Sequence, residues 1–149
     1  MPDEENVVAT WLNTVLNDDS VEMLAAVPGG FWWEMIPQVG TSTDIAVELP
    51  AGTYQMISGT DLVVINNRRV WSNQLWLLKI TAIVGRDQTL SAGVDLMDSR
   101  LHDQRYVTVG SAMIYGVSRE QSISQPVNED GTQYRQRGGI YRIYARDAA

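Results

Sequence analysis

The sequence predicts an α+β domain, and three observations carry that prediction. Two stretches place apolar residues at helical spacing, several strand-like runs are rich in Trp, Tyr, Val and Ile, and the last two runs form a long β-hairpin around a polar turn. At 149 residues the chain reads as one domain, 1–149, without internal repeat, low-complexity tract or linker. A chain of this length buries roughly 70% of its unfolded surface, and 44% hydrophobic residues with five tryptophans supply a core.

Val7, Val8, Trp11, Leu12, Val15 and Leu16 repeat at three- and four-residue spacing and define one face of a first helix. Asp3, Glu4 and Glu5 precede it, where carboxylates favour the helix dipole. Asn17-Asp18-Asp19-Ser20 ends it, and Ser20 suits the cap of a short second turn through Val21, Met23 and Leu24. Pro28-Gly29-Gly30 stops that turn.

Phe31 to Ile36 reads as the first strand, closed by Pro37. Residues 38–53 read as an exposed loop with a short strand at Ile45–Leu49. Thr53–Ser58 is the second strand, which Asp61–Ile65 continues or follows as a short extra one, and Asn66-Asn67 is a turn. Val70–Val84 is the longest strand-like run. Trp76, Leu78, Ile80, Ala82 and Val84 share one of its faces, while Trp71, Leu75 and Leu77 partly fill the other. Two apolar faces imply a central strand, or one with an assembly contact on its back. Leu90, Val94, Met97 and Leu101 then predict an amphipathic helix from Gln88 to His102. Strands follow at Tyr106–Val109 and Ala112–Ser124, interrupted at Gly110 and Gly116, then a polar turn at 125–131 and a closing strand Tyr134–Arg146.

Charge is unevenly placed. The first 67 residues hold ten carboxylates and no lysine or arginine, whereas the remainder holds eleven bases against eight acids. Ten of those bases are arginine, which makes forked contacts with carboxylates on another surface. Such a split suits heterologous contact between copies, though a chance distribution of solubilising charge would produce it too. A net charge of −7 argues against general nucleic-acid binding. The absence of cysteine excludes disulfides and thiol chemistry. The acidic start lacks the order of a signal peptide, and no apolar run approaches the ~20 residues that span a bilayer, so a soluble chain folding in a cytoplasm is expected.

No set of residues forms an active site. His102 beside Asp103 has the pairing of a base and its orienting acid, but a helix-terminal histidine more commonly complements the dipole. Lys79, the one lysine, lies mid-strand in phase with Leu75 and Leu77, as an interface or snorkelling lysine would. Asp95 and Asp98 stand one helical turn apart without a third ligand, which leaves a solvated helix face. Asn128-Glu129-Asp130-Gly131 lacks the alternating acids of a calcium loop. Gly138-Gly139 fits a β-bulge or a close backbone approach. Catalytic residues, cofactor and metal are therefore not expected. Candidate contacts with subunits or partners are Trp32 and Trp33, which point to opposite faces so that one should leave the core, the basic pair Arg135 and Arg137, and a loop Ser124–Thr132. In that loop Pro126, Asn128 and Asp130 favour an exposed, docking turn.

Placed in order, Phe31-Trp32-Trp33-Glu34-Met35-Ile36-Pro37-Gln38, Gly52 to Gly59, Arg69-Val70-Trp71 through Ile80, the helix Leu90–Leu101 and the final Gly139 to Tyr144 resemble the tail completion, or tail terminator, proteins of long-tailed bacteriophages. The likeness covers most of the chain, although the family reads Pro-Tyr where Thr53-Tyr54 stands and lacks the long 38–53 insertion. The resemblance implies a mainly antiparallel sheet with two amphipathic helices packed on one face. It further implies a homo-oligomeric, sixfold ring in the virion, assembled in the host cytoplasm, that caps the tail-tube protein and meets the head-side connector. DNA passes through the lumen without sequence-specific contact, and no membrane is involved. The alternatives are another neck or tail-tube component, or a small-ligand-binding or enzymatic α+β domain with a Trp-lined pocket.

Overall fold

The computed structural model describes residues 4–18, 20–36, 48–64, 68–83, 87–109, 112–129 and 131–146. Their order is α1 (Glu4–Leu16), α2 (Val21–Ala26), β1 (Phe31–Trp33), β2 (Ala51–Val64), β3 (Arg68–Ile83), α3 (Asp87–Leu101), β4 (Arg105–Val109), β5 (Ala112–Glu129) and β6 (Thr132–Arg146). The six strands form one sheet in the order β1-β2-β3-β6-β5-β4. Every neighbouring pair is antiparallel except β1 and β2, which run parallel. The mixed α+β class and the predominance of antiparallel pairing agree with the sequence reading.

Burial follows the predicted faces. Val8, Trp11, Leu12 and Leu16 of α1 and Leu90, Val94, Met97 and Leu101 of α3 are buried in one core with Trp76, Leu78, Ile80 and Ala82 of β3. Tyr141, Ile143 and Ala145 of β6 complete the covered face, each paired within the ladder beside β3. A third helix also contributes. The residues after Ser20 form α2, not a single turn, and bury Met23. Its start is fixed as expected: the Ser20 Oγ accepts from the Met23 amide at 3.2 Å.

Several boundaries differ from the expectations. Strand β1 ends after three residues because Glu34 adopts φ 72°, which breaks the extended path. Strand β2 runs unbroken through the two short strands expected there, its register shifting between Met56 and Ser58 and between Leu62 and Val63. The proposed strand at Ile45–Leu49 and the turn at Asn66-Asn67 fall largely or wholly outside the described residues. The polar stretch 125–131 is corrected most. Pairing continues through Gln125↔Gln136, Pro126↔Arg135, Val127↔Tyr134, Asn128↔Gln133 and Glu129↔Thr132, so Pro126 and Asn128 are ladder residues and not a loop. Asp130 lies outside the described residues. Turn-forming composition is overridden here because β5 is an edge strand at this height, where a proline need not donate to a further neighbour. Of the two readings offered for Gly138-Gly139, close approach holds. A Cβ on Gly138 would overlap the Leu78 carbonyl, and the register shifts of β5 fall instead at Ile114/Gly116 and Arg119/Gln121.

Candidate assembly surfaces

Beyond the β2–β3 ladder, side-chain amides and guanidinia tie α1 and α2 to the sheet and to α3. Asn17 acts like a strand neighbour: its Oδ1 accepts from the Phe31 amide at 2.7 Å and its Nδ2 donates to the Phe31 carbonyl at 2.8 Å. Arg100, near the end of α3, pairs with Asp18, donates to Ser20 Oγ at 2.9 Å and reaches the Val15 carbonyl at 3.1 Å. One arginine thus closes the carbonyl end of α1, holds the cap of α2 and joins both to α3.

The charge split is therefore partly spent within the chain. Arg142 pairs with Glu120 across the hairpin, holding the Glu120 carboxyl below its ordinary range and raising the guanidinium's own proton affinity. Arg119 lies 3.7 Å from Asp98, and Arg146 donates to the Tyr115 hydroxyl at 3.2 Å. Arg137 donates to Ser91 on α3 at 2.6 Å. Arg135 is exposed and pairs in register with Pro126, near the end of the arm. The two arginines singled out from sequence lie on one strand, two residues apart and on the same side.

Between α3 and the β5–β6 hairpin lies a cleft of about 170 Å³, lined by Asp95, Arg119, Ser122, Ser124 and Arg137 together with Val94, Ile123 and Gly138. Sequence reasoning singled out Arg137, weighed Asp95 only as part of a solvated helix face and Gly138 only as a bulge or close approach, and passed over the rest. Ser122 and Ser124 read only as polar strand positions, and nothing local shows that a bulge at Arg119/Gln121 keeps Arg119 and the two serines on one side.

The aromatic pair behaves differently from expectation. Neither tryptophan enters the core: Trp32 is 38% and Trp33 41% exposed, while Phe31 takes the buried place. Gly52 lies opposite Phe31, and a side chain there would overlap the phenyl ring. Trp32 Nε1 donates to the Gly29 carbonyl at 2.9 Å, which fixes the indole without covering it. Val21 and Leu24 on α2 and Met35 just after β1 are also exposed. So are three carboxylates, Glu22 on α2, Glu34 directly after β1 and Glu48 ahead of β2.

The face of the sheet away from the helices also carries apolar residues. Leu77 faces Ile140 across the β3–β6 ladder and Leu75 faces Arg142, all half-buried, with Lys79 one step further along, in the phase predicted. Among the described residues no helix packs there.

The remaining candidates make local contacts. His102 Nδ1 accepts weakly from the Arg119 amide at 3.4 Å, and its Nε2 lies 3.5 Å from Asp103. Asp98 accepts from the Tyr141 hydroxyl, and Asp95 is exposed. Among the described residues no group of three metal-ligating side chains converges, and no helix is long and apolar enough to cross a membrane.

No protein-family model and no curated protein matches the chain. A solved structure does. The fold is similar to that of a chain in the virion of a native gene transfer agent particle. The superposition covers 91% of this chain and 92% of that one, with a TM-score of 0.62 and 10% identity, so the likeness is one of fold over nearly the whole length of both.

Proposed function

We propose that this protein is a structural virion protein of a phage-like particle, which forms a ring at the head-proximal end of a tail tube, terminates the tail and joins it to the head connector. The observation that carries this reading is the end-to-end fold likeness to a virion chain, without large unmatched regions on either side. Three features of the surface support it. The exposed Trp32-Trp33 patch, the uncovered apolar face of β3 and β6, and the long β5–β6 arm are the surfaces of a subunit built to be covered by neighbours. The role is mechanical: a closed ring of copies presents one face to the tail-tube protein and the other to the connector, and DNA passes through its lumen. An acidic surface facing that lumen would keep DNA from adhering.

Mass photometry and negative-stain microscopy of the purified protein, alone and with tail tubes, test this. Rings that cap one end of each tube support the assignment. A persistent monomer of 16.6 kDa that never binds tubes overturns it, and decoration along the tube instead of its end would assign the protein to the tube wall.

A further inference from the structure

We infer that the arginine-lined cleft between α3 and the β5–β6 hairpin receives the β1 edge, led by Glu34 and Trp33, of a second copy of this chain. This deepens the ring reading by naming the two surfaces that meet. Chemistry favours the match. The cleft offers the guanidinia of Arg119 and Arg137 beside the hydroxyls of Ser122 and Ser124, a donor-rich setting for a carboxylate. Arg137 commits one nitrogen to Ser91, and Arg119 lies 3.7 Å from Asp98 and bonds the Tyr141 hydroxyl; each guanidinium carries five N–H groups, so these contacts saturate neither. Asp95 also lines the cleft and opposes an incoming carboxylate, against which stand the two guanidinia.

The other surface supplies one. Glu34 follows β1 directly and is exposed, and among the described residues it makes no ion pair. Its backbone is held at φ 72°, locked by the hydrogen bond from its amide to the Tyr54 carbonyl at 2.9 Å. A non-glycine residue kept in the left-handed region costs stability, which is consistent with a preset contact. Trp33 beside it, 41% exposed, provides the apolar area that a lone ion pair lacks. Position completes the argument. Strand β1 is one edge of the sheet and the cleft lies near the other, so the contact joins unlike surfaces and can propagate from copy to copy until a ring closes.

The test uses charge reversal and mixing at low salt, read by analytical ultracentrifugation, with circular dichroism checking the fold. Wild-type protein is measured first: if it does not self-associate, the ring reading fails before this one is addressed. Glu34→Arg and Arg137→Glu should each weaken self-association by on the order of tenfold or more. Ser124→Glu, at an exposed position with no role in the core, should do the same should Arg137→Glu fail to fold. A mixture of Glu34→Arg and Arg137→Glu should regain association that neither variant shows alone, because the intact edge of one meets the intact cleft of the other and the two reversed charges face each other. Wild-type association in Glu34→Arg and Ser124→Glu, or no recovery on mixing, would overturn the pairing while leaving ring formation standing.

Discussion

The Tyr141 hydroxyl donates to Asp98 Oδ1 at 2.8 Å, tying the middle of β6 to the last turns of α3. The ring is fully buried, and burial together with that bond raises the phenol's pKa well above its ordinary value of 10.0. A raised folded pKa means the neutral phenol is the form the fold prefers. Its contribution is therefore complete below pH 10 and is lost as pH rises beyond it. Tyr141→Phe should cost about 1 kcal/mol at neutral pH, since Asp98 keeps Arg119 nearby. The same change should flatten the alkaline limb of stability, measured by urea unfolding between pH 8 and pH 11.

Beneath the helices β3 carries a buried polar chain. Trp76 Nε1 donates to Gln74 Oε1 at 2.7 Å, and Gln74 Nε2 donates to Ser72 Oγ at 2.8 Å, with all three residues buried. Gln74→Leu strands an indole N–H and a hydroxyl away from water. Thermal and urea unfolding should report a loss of about 1–3 kcal/mol. A neutral result would show that the site repacks or admits water.

Phe31 and the two tryptophans after it separate folding from assembly. Phe31→Ala should cost about 3–5 kcal/mol, as removal of a buried aromatic does. Trp32→Ala and Trp33→Ala should each cost the monomer clearly less than Phe31→Ala, because both tryptophans keep more than a third of their surface in solvent. On the proposed ring assignment at least one of them instead lowers self-association. Calorimetry paired with mass photometry distinguishes the two effects.

Trimming the hairpin arm tests docking. Among the described residues the ladder from Asn128 to Gln133 has no third strand, the last β3–β6 pair being Ile83↔Tyr134. Replacing residues 128–133 by Asn-Gly keeps the Val127↔Tyr134 pair and supplies a two-residue turn. The trimmed protein should fold with nearly unchanged stability and form rings. With the arm serving as a docking element, it should then fail to join tails in a reconstitution assay. Normal joining would reduce the arm to a connection.

Periodicity alone determined the elements and their buried sides. The α1 stripe from Val8 to Leu16, the alternation Trp76-Leu78-Ile80-Ala82 and the α3 stripe from Leu90 to Leu101 each have a repeat that matches one secondary structure, so burial could be read without a fold. Local capping chemistry at Ser20 was equally legible. Tertiary structure decided what depends on partners distant in the chain. Asn17 and Phe31 are fourteen residues apart and Arg100 and Asp18 eighty-two, and no local pattern encodes either contact. The buried place on β1 went to Phe31 and not to Trp32 or Trp33, and β5 extended through Pro126 because it lies on the outside of the sheet there. The cleft arose the same way. Its arginines, serines and helix come from segments whose proximity exists only once strand order and register bring them together, because strand pairing over long separations is a property of the whole fold.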